Sequence, residues 1–181
     1  MTAWQALFDW GHLEAGQKAL IHAAAGGVGS FAVQLARWKG AHVIGTASAR
    51  NADFLRELGV DEVIDYHTTR FEDAVTDADV VLDAVGGETQ ERSWKVLKKG
   101  GILVSIVSAP SEEAAAAHGV RSAVFMATAS GAQLAQIAGL IDSGHVKVDV
   151  ETVLPLSEAS RAHELSESGH ARGKIVLRVQ D

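Results

Sequence analysis

The chain has 181 residues, a formal net charge of −7 and no cysteine. That length is enough for one domain with a sizeable core, and the negative balance gives no electrostatic footprint for nucleic acid. The absence of cysteine excludes disulfides, thiolate metal sites and a cysteine nucleophile. No apolar run approaches the ~20 residues of a membrane span, and no secretory signal with a basic start and apolar centre is visible. A cytoplasmic enzyme or binding domain is expected, with no membrane partner.

Thr2 to Leu13 places Trp4, Leu7 and Phe8 at helical spacing. A turn at Glu14–Gln17 leads to a first strand, Lys18 to Ala23. Val28 to Lys39 reads as a helix packed on a sheet, with Gly40 as its stop. His42 to Thr46 is a second strand, Asn51 to Leu58 a short helix and Glu62 to Tyr66 a third strand. Phe71 to Val75 is a helical turn. Asp79 to Asp83 is a fourth strand with an acidic end. A helix over Thr89 to Leu97 is followed by a Lys98–Gly101 turn and a buried strand, Ile102 to Val107. Short apolar runs alternating with helices imply an α/β doubly wound parallel sheet of about six strands, covered on both faces. Ser111 to Gly119 fits a short helix or a loop. Ser122 to Thr128 is the sixth strand, and Ala132 to Ile141 an amphipathic helix. Beyond Val146 the rhythm changes: Val146 to Leu154, a helix over Ser157 to Ser168 and Lys174 to Val179 read as a tail made to pack on something else. Residues 1–145 are therefore expected to form one domain and 146–181 a separate C-terminal segment.

The first strand, glycine turn and helix carry the chemistry. Ala24-x-Gly26-x-x-Gly29 fits the dinucleotide-binding fingerprint, with alanine in the first glycine place. The turn must be tight, the backbone at Gly26 must approach a pyrophosphate, and Gly29 must let the helix lie near the strand. Free N–H groups and the positive end of the helix dipole would face the phosphates. An acid near the end of the second strand would hold the ribose of NAD. Here that stretch reads Thr46-Ala-Ser-Ala-Arg-Asn51, with no carboxylate. Ser48 and Arg50 suit a 2′-phosphate, which favours NADP(H). The competing reading makes them ordinary solvated residues and Asn51 a helix N-cap.

Ala23-Ala-Ala-Gly-Gly-Val-Gly29, Val43-Ile-Gly-Thr46, Glu57-Leu-Gly59, Val63-Ile-Asp-Tyr66, Val80-Val-Leu-Asp83 and the ending Gly173-Lys-Ile-Val-Leu-Arg178 resemble the medium-chain dehydrogenase/reductase superfamily. The chain looks most like the quinone oxidoreductase branch of that superfamily, which includes zeta-crystallin-like enzymes. Thr2-Ala-Trp-Gln-Ala-Leu7 resembles the segment leading from the family's catalytic domain into its cofactor domain. The resemblance implies an N-terminal GroES-like catalytic domain outside this chain, with the C-terminal segment returning to it. It also implies NADPH, no zinc, and hydride transfer to quinones or carbonyl-conjugated double bonds. By matching motif, Gly26, Gly27, Val28 and Gly29 would contact the pyrophosphate, and Ser48, Arg50 and Tyr66 would surround the 2′-phosphate. Asp83, Val85 and Gly86, with Ile106, Val107 and Ser108, would line the path from adenine to nicotinamide. Thr2, Phe125 and Met126 would approach the nicotinamide.

Other candidates have plainer readings. His22 is expected to be a half-buried structural histidine. Asp83 would hold either a ribose or a loop amide. His163 and His170 fit no metal-ligand spacing. The four tryptophans read as packing residues. The first functional expectation is an NADPH-binding domain of a quinone or enone reductase, catalytically incomplete alone. The second is a non-catalytic nucleotide-binding module that pairs through its sixth strand into a homodimer. A methyltransferase-like domain is the third, disfavoured by the missing acid near Ala47.

Overall fold

A computed structural model of the chain describes residues 1–169 and 171–180. The chain opens with a helix, α1 (Thr2–Trp4), that widens into a π-helical turn over Gln5–Trp10. Then follow β1 (Lys18–Ile21), α2 (Gly29–Lys39), β2 (His42–Ala47), α3 (Ala52–Glu57), β3 (Glu62–Asp65), α4 (Phe71–Ala74), β4 (Ala78–Asp83) and α5 (Gly87–Ser93). The second half contains β5 (Leu97–Ser105), α6 (Glu112–His118), β6 (Arg121–Val124), α7 (Gly131–Asp142), β7 (Val150–Pro155), α8 (Ala159–Glu167) and β8 (Lys174–Arg178).

The first six strands form one parallel sheet in the order β3-β2-β1-β4-β5-β6. The chain winds outward from β1 to one edge, then returns to β4 and winds to the other. β1 and β4 therefore leave in opposite directions, which opens a crevice at their carboxyl ends where such sheets bind ligands.

The apolar runs are nearly continuous because both faces are buried. Ile21, Leu82 and Val104 belong to one core cluster, with Leu7, Val33 and Leu35 of the helices; Leu20, Val81 and Leu103 belong to the other, with Phe71 and Trp94. Adjacent strand residues point to opposite faces, so each face needs its own apolar set.

Capping decides several boundaries. Gly40 takes φ +88° and ends α2, as its sequence position implied. The helix-or-loop segment is a helix: Ser111 Oγ accepts from Ala114 N at 3.1 Å, and Gly119 at φ +67° closes the far end. The turn expected at Lys98–Gly101 instead lies inside β5. The register jumps from Ala78↔Leu97 to Val80↔Ile102, so the extra residues bulge out, and the Lys98 ammonium pairs with Asp79. The sixth strand stops at Val124 because the chain beyond it is held by a distant side chain. Gln5 donates through Nε2 to Thr128 O at 2.8 Å and accepts from Thr128 N at 3.0 Å.

β7 and β8 form a separate two-stranded parallel sheet with α8 as its crossover. Val146 is buried in the main core, and Lys147 N donates to Gln34 Oε1 at 2.7 Å, so the chain stays anchored on α2 before that small sheet begins. Among the described residues no helix is long and apolar enough to cross a membrane.

Leu82 sits fully buried near the carboxyl end of β4, a central strand of the sheet. Leu82→Ala should lower the unfolding free energy by about 2–5 kcal/mol, read from urea titration.

Candidate nucleotide site

The first strand ends, and the glycine turn begins, two residues earlier than the sequence suggests. β1 ends at Ile21, and Ala23 takes φ +49°, a left-handed conformation that only a tightly held non-glycine residue keeps. Gly26 N donates back to Ala23 O at 2.9 Å, and Ser30 N to Gly26 O at 3.0 Å, where α2 starts. A β-carbon on Gly29 would lie 2.2 Å from Ala23 O and 2.7 Å from Ala24 Cα, so only glycine lets the helix sit this close. At Gly26 the nearest atom to such a carbon is Ala23 O at 3.2 Å. The turn is thus tight underneath and accessible above, the shape that a pyrophosphate cradle requires.

A cavity of about 420 Å³ opens beside this turn. It brings together Gly26 after β1, Ser48, Arg50 and Asn51 after β2, Tyr66 after β3 and Val85 after β4. Among the described residues two arginines, Arg50 and Arg92, line it, and no carboxylate does. For a chain of net charge −7 that local balance marks an anion site. Asn51 makes no side-chain cap; its Nδ2 donates to Ser48 Oγ at 3.3 Å and orients that hydroxyl.

The other expected residues divide. Gly27 is covered by the tail: Gly173 N donates to Ala25 O at 2.9 Å, and Lys174 Nζ lies over Gly27. Val28 and Thr2 face a separate apolar groove with Phe31 and Leu134. Phe125 stacks on Trp10 at 5.9 Å between centroids, and Met126 is 88% exposed. Neither lines the cavity. Of the two expected roles, Asp83 takes that of loop anchor. Its buried carboxylate accepts from Val85 N, Gly86 N, Gln90 Nε2 and Ser105 Oγ at 2.8–3.0 Å. Every lone pair facing the loop is used, so this group shapes the crevice rather than reaching into it. Ile106 N bonds Asp83 O, and the amides of Val107 and Ser108 donate to Ser105 Oγ at 3.3 Å. Gly86, at φ +78°, packs beneath Val107 and Ser108, so the two strand-end loops form one wall. His163 lies at a second hollow under the tail, with Gly27 and Lys174; His170 lies outside the described residues.

Two contributors carried no local signal. Arg92 and Phe71 reach the cavity from α5 and α4. Their pairing, guanidinium over ring at 5.0 Å, joins residues 21 positions apart. His22 is fully buried, not half-buried. Its Nε2 is 2.9 Å from Ser93 Oγ, whose proton goes to Thr89 O at 2.7 Å. Nε2 must therefore carry the hydrogen, and Nδ1 accepts from Thr46 Oγ1 at 3.1 Å. The neutral ring ties β1, β2 and α5 together at the cavity floor. Burial pushes its pKa down from 6.5 to about 4, against a smaller upward pull from Asp83; the Arg92 charge adds to the lowering.

The sign of the His22 effect on stability follows. The unfolded chain protonates this ring below its ordinary pKa, whereas the folded chain resists until about pH 4. Its contribution is complete above pH 6.5 and is lost as the pH falls toward 4, in total about 3 kcal/mol. His22→Gln should flatten the decline in unfolding free energy between pH 7 and pH 5; an unchanged slope would assign the acid sensitivity to other groups. Gly29→Ala should cost about 1–3 kcal/mol of stability, seen as a lower thermal midpoint, because the turn must move to admit the methyl group.

Residues 58–177 match the family described as zinc-binding dehydrogenase. The mitochondrial NAD(P)H oxidoreductase RTN4IP1 of Mus musculus is 35% identical over 99% of this chain and 53% of its own length. The quinone oxidoreductase structure from Coxiella burnetii superposes with a TM-score of 0.94 at 39% identity, covering 99% of this chain and 57% of that one. The Escherichia coli quinone oxidoreductase, solved in complex with NADPH, superposes with a TM-score of 0.87 at 30% identity, over 98% of this chain and 62% of that one. The chain spans 59% and 53% of the length of two of the curated relatives it matches, the Arthroderma benhamiae oxidoreductase and mouse RTN4IP1. With the family matched over residues 58–177 and the 3-2-1-4-5-6 sheet around a glycine turn, the chain belongs to the zinc-binding dehydrogenase family of the medium-chain dehydrogenase/reductases and corresponds to its cofactor-binding half.

Proposed function

We propose that this chain is the NADP(H)-binding part of an oxidoreductase that passes hydride to quinones or α,β-unsaturated carbonyls. The observation that carries the reading is the cavity beside the glycine turn, with Ser48, Arg50 and Tyr66 at one end and no carboxylate among the described residues that line it. A 2′-phosphate there meets a hydroxyl, a phenol and a forked cation; an acid in the same place would repel it. The glycine turn supports the pyrophosphate, because Gly26 leaves its upper side accessible and Gly29 brings the N-terminus of α2 underneath.

When bound, the nicotinamide supplies the hydride. The chain's own residues place it. The wall made by Asp83–Gly86 and Ser105–Ser108 is held rigid by the buried Asp83 carboxylate, so the crevice keeps its width without ligand. Quinones and enones share one demand, an electrophilic carbon conjugated to a carbonyl, and neither requires a metal to accept hydride. Among the described residues no group of three or more His, Cys, Asp or Glu is placed to hold a metal. The donor set of these residues does not fit zinc. We assign residues 146–181 to the part that meets a catalytic domain outside this chain, which makes the chain by itself a cofactor binder with little turnover.

A second reading, a nucleotide-binding module that self-associates, is favoured by one observation: among the described residues β6 pairs with β5 alone, which leaves its other edge available to a second copy.

Calorimetric titration with NADPH and NADH tests the assignment. NADPH should bind more tightly, and Arg50→Ala should erase about tenfold or more of that preference. Preference for NADH would remove the 2′-phosphate pocket; binding of neither would overturn the cofactor reading. Robust NADPH-dependent quinone reduction by the chain alone would contradict its catalytic incompleteness.

A further inference from the structure

The cavity has three ends, and the NADP(H) reading occupies two. Sheet order puts the ends of β3 and β2, with Tyr66, Ser48 and Arg50, on one side, and the β1 turn with Gly26 in the middle. A 2′-phosphorylated ribose at the first and a pyrophosphate at the second leave the base one direction. It must turn toward the third end, where Val85, Phe71, Thr89 and Arg92 line the same cavity.

Arg92 is built to present a donor there. Its side chain is 29% exposed, while that of its partner Glu72 is 3% exposed. Nη1 donates to both Glu72 oxygens, at 3.3 and 3.2 Å, and the guanidinium lies over the Phe71 ring at 5.0 Å. Glu72 is fixed from its other side by Arg70, which donates to it through Nε and Nη2. One terminal nitrogen and one face of Arg92 are thus committed. Its Nε is buried with no hydrogen-bond acceptor; the nearest carboxylate, Glu88, is 3.6 Å away. Nη2 donates to no acceptor among the described residues. A guanidinium this firmly held, lining a cavity with one terminal nitrogen left over, is placed for recognition and exceeds what pairing with Glu72 needs.

We propose that Arg92 is a specificity-determining residue that reads the adenine base, donating to the ring nitrogen N1 on the edge remote from the ribose. The assignment rests on the NADP(H) reading above. Arginine only donates, and adenine N1 only accepts, so the match is one of polarity as well as position. Val85 supplies an apolar surface at the same end, and Glu72 acts through Arg92 as a positioning residue.

The test compares NADP with 1,N6-etheno-NADP, whose two-carbon bridge covers N1 and the 6-amine but leaves both phosphate groups unchanged. Calorimetry on the unaltered chain should give at least about tenfold tighter binding of NADP. Arg92→Lys, which keeps a charge beside Glu72, should lose most of that ratio by weakening NADP while leaving the etheno ligand unchanged. Glu72→Gln should move the ratio the same way by a smaller amount. If Arg92 only supports the fold, both ligands weaken by one factor and the ratio stays, which overturns the proposal. A ratio near one in the unaltered chain overturns it without any variant. Binding of neither ligand overturns the cofactor reading itself, whereas tight binding of both with equal affinity removes only the role of Arg92.

Discussion

The structure depends on the close approach of α2 to the end of β1. A helix N-terminus can face a ligand at the centre of a parallel sheet only if the chain reverses within a few residues. Here Gly29 presses against the backbone of Ala23 and Ala24 with no room for a β-carbon. That contact holds Ala23 in a left-handed conformation and leaves the upper side of Gly26 accessible. The neighbours conform to the same constraint. Gly45 on β2 is glycine where a β-carbon would approach Ala24 Cβ to 2.9 Å, so small residues stack in layers beneath the turn.

The polar groups around this turn show how buried polarity serves a site. Asp83 and His22 are both fully buried, and each is saturated by hydrogen bonds from several elements. Asp83 joins the ends of β4 and β5; His22 joins β1, β2 and α5. Neither is arranged as a catalytic acid or base. They keep the crevice walls in register while loops do the contacting, and unsatisfied versions of either would be costly. Glu72 does the same for Arg92. Burial alone would raise its carboxyl pKa, yet its own backbone amide and the two arginines hold it below the ordinary value.

The C-terminal unit departs from this economy. A two-stranded parallel sheet cannot cover both its faces, and Val153, Leu156, Val176 and Val179 remain exposed on it. Its anchor is local: Gly173 bonds Ala25, and Lys174 crosses Gly27. The tail therefore touches the glycine turn itself.

Much of this was legible from the chain. Apolar runs alternating between two core clusters predicted a doubly wound parallel sheet, because period-two burial on both faces leaves few polar positions. The glycine turn, Ser48, Arg50 and Tyr66 were legible because each lies within a few residues after a strand end, where sequence order and spatial order agree. Arg92, Phe71 and the saturation of His22 were not. Those arrangements join residues from 21 to 71 positions apart, and packing of α4 and α5 on the sheet brings them together. The early end of β6 has the same cause, since the Gln5 amide that captures Thr128 lies 123 positions away. Sequence by itself determined the layers and the glycine turn, through local periodicity and the steric demands of glycine. Tertiary structure alone decided which charged side chains share the cavity, because that choice is made by contacts between elements and has no local pattern.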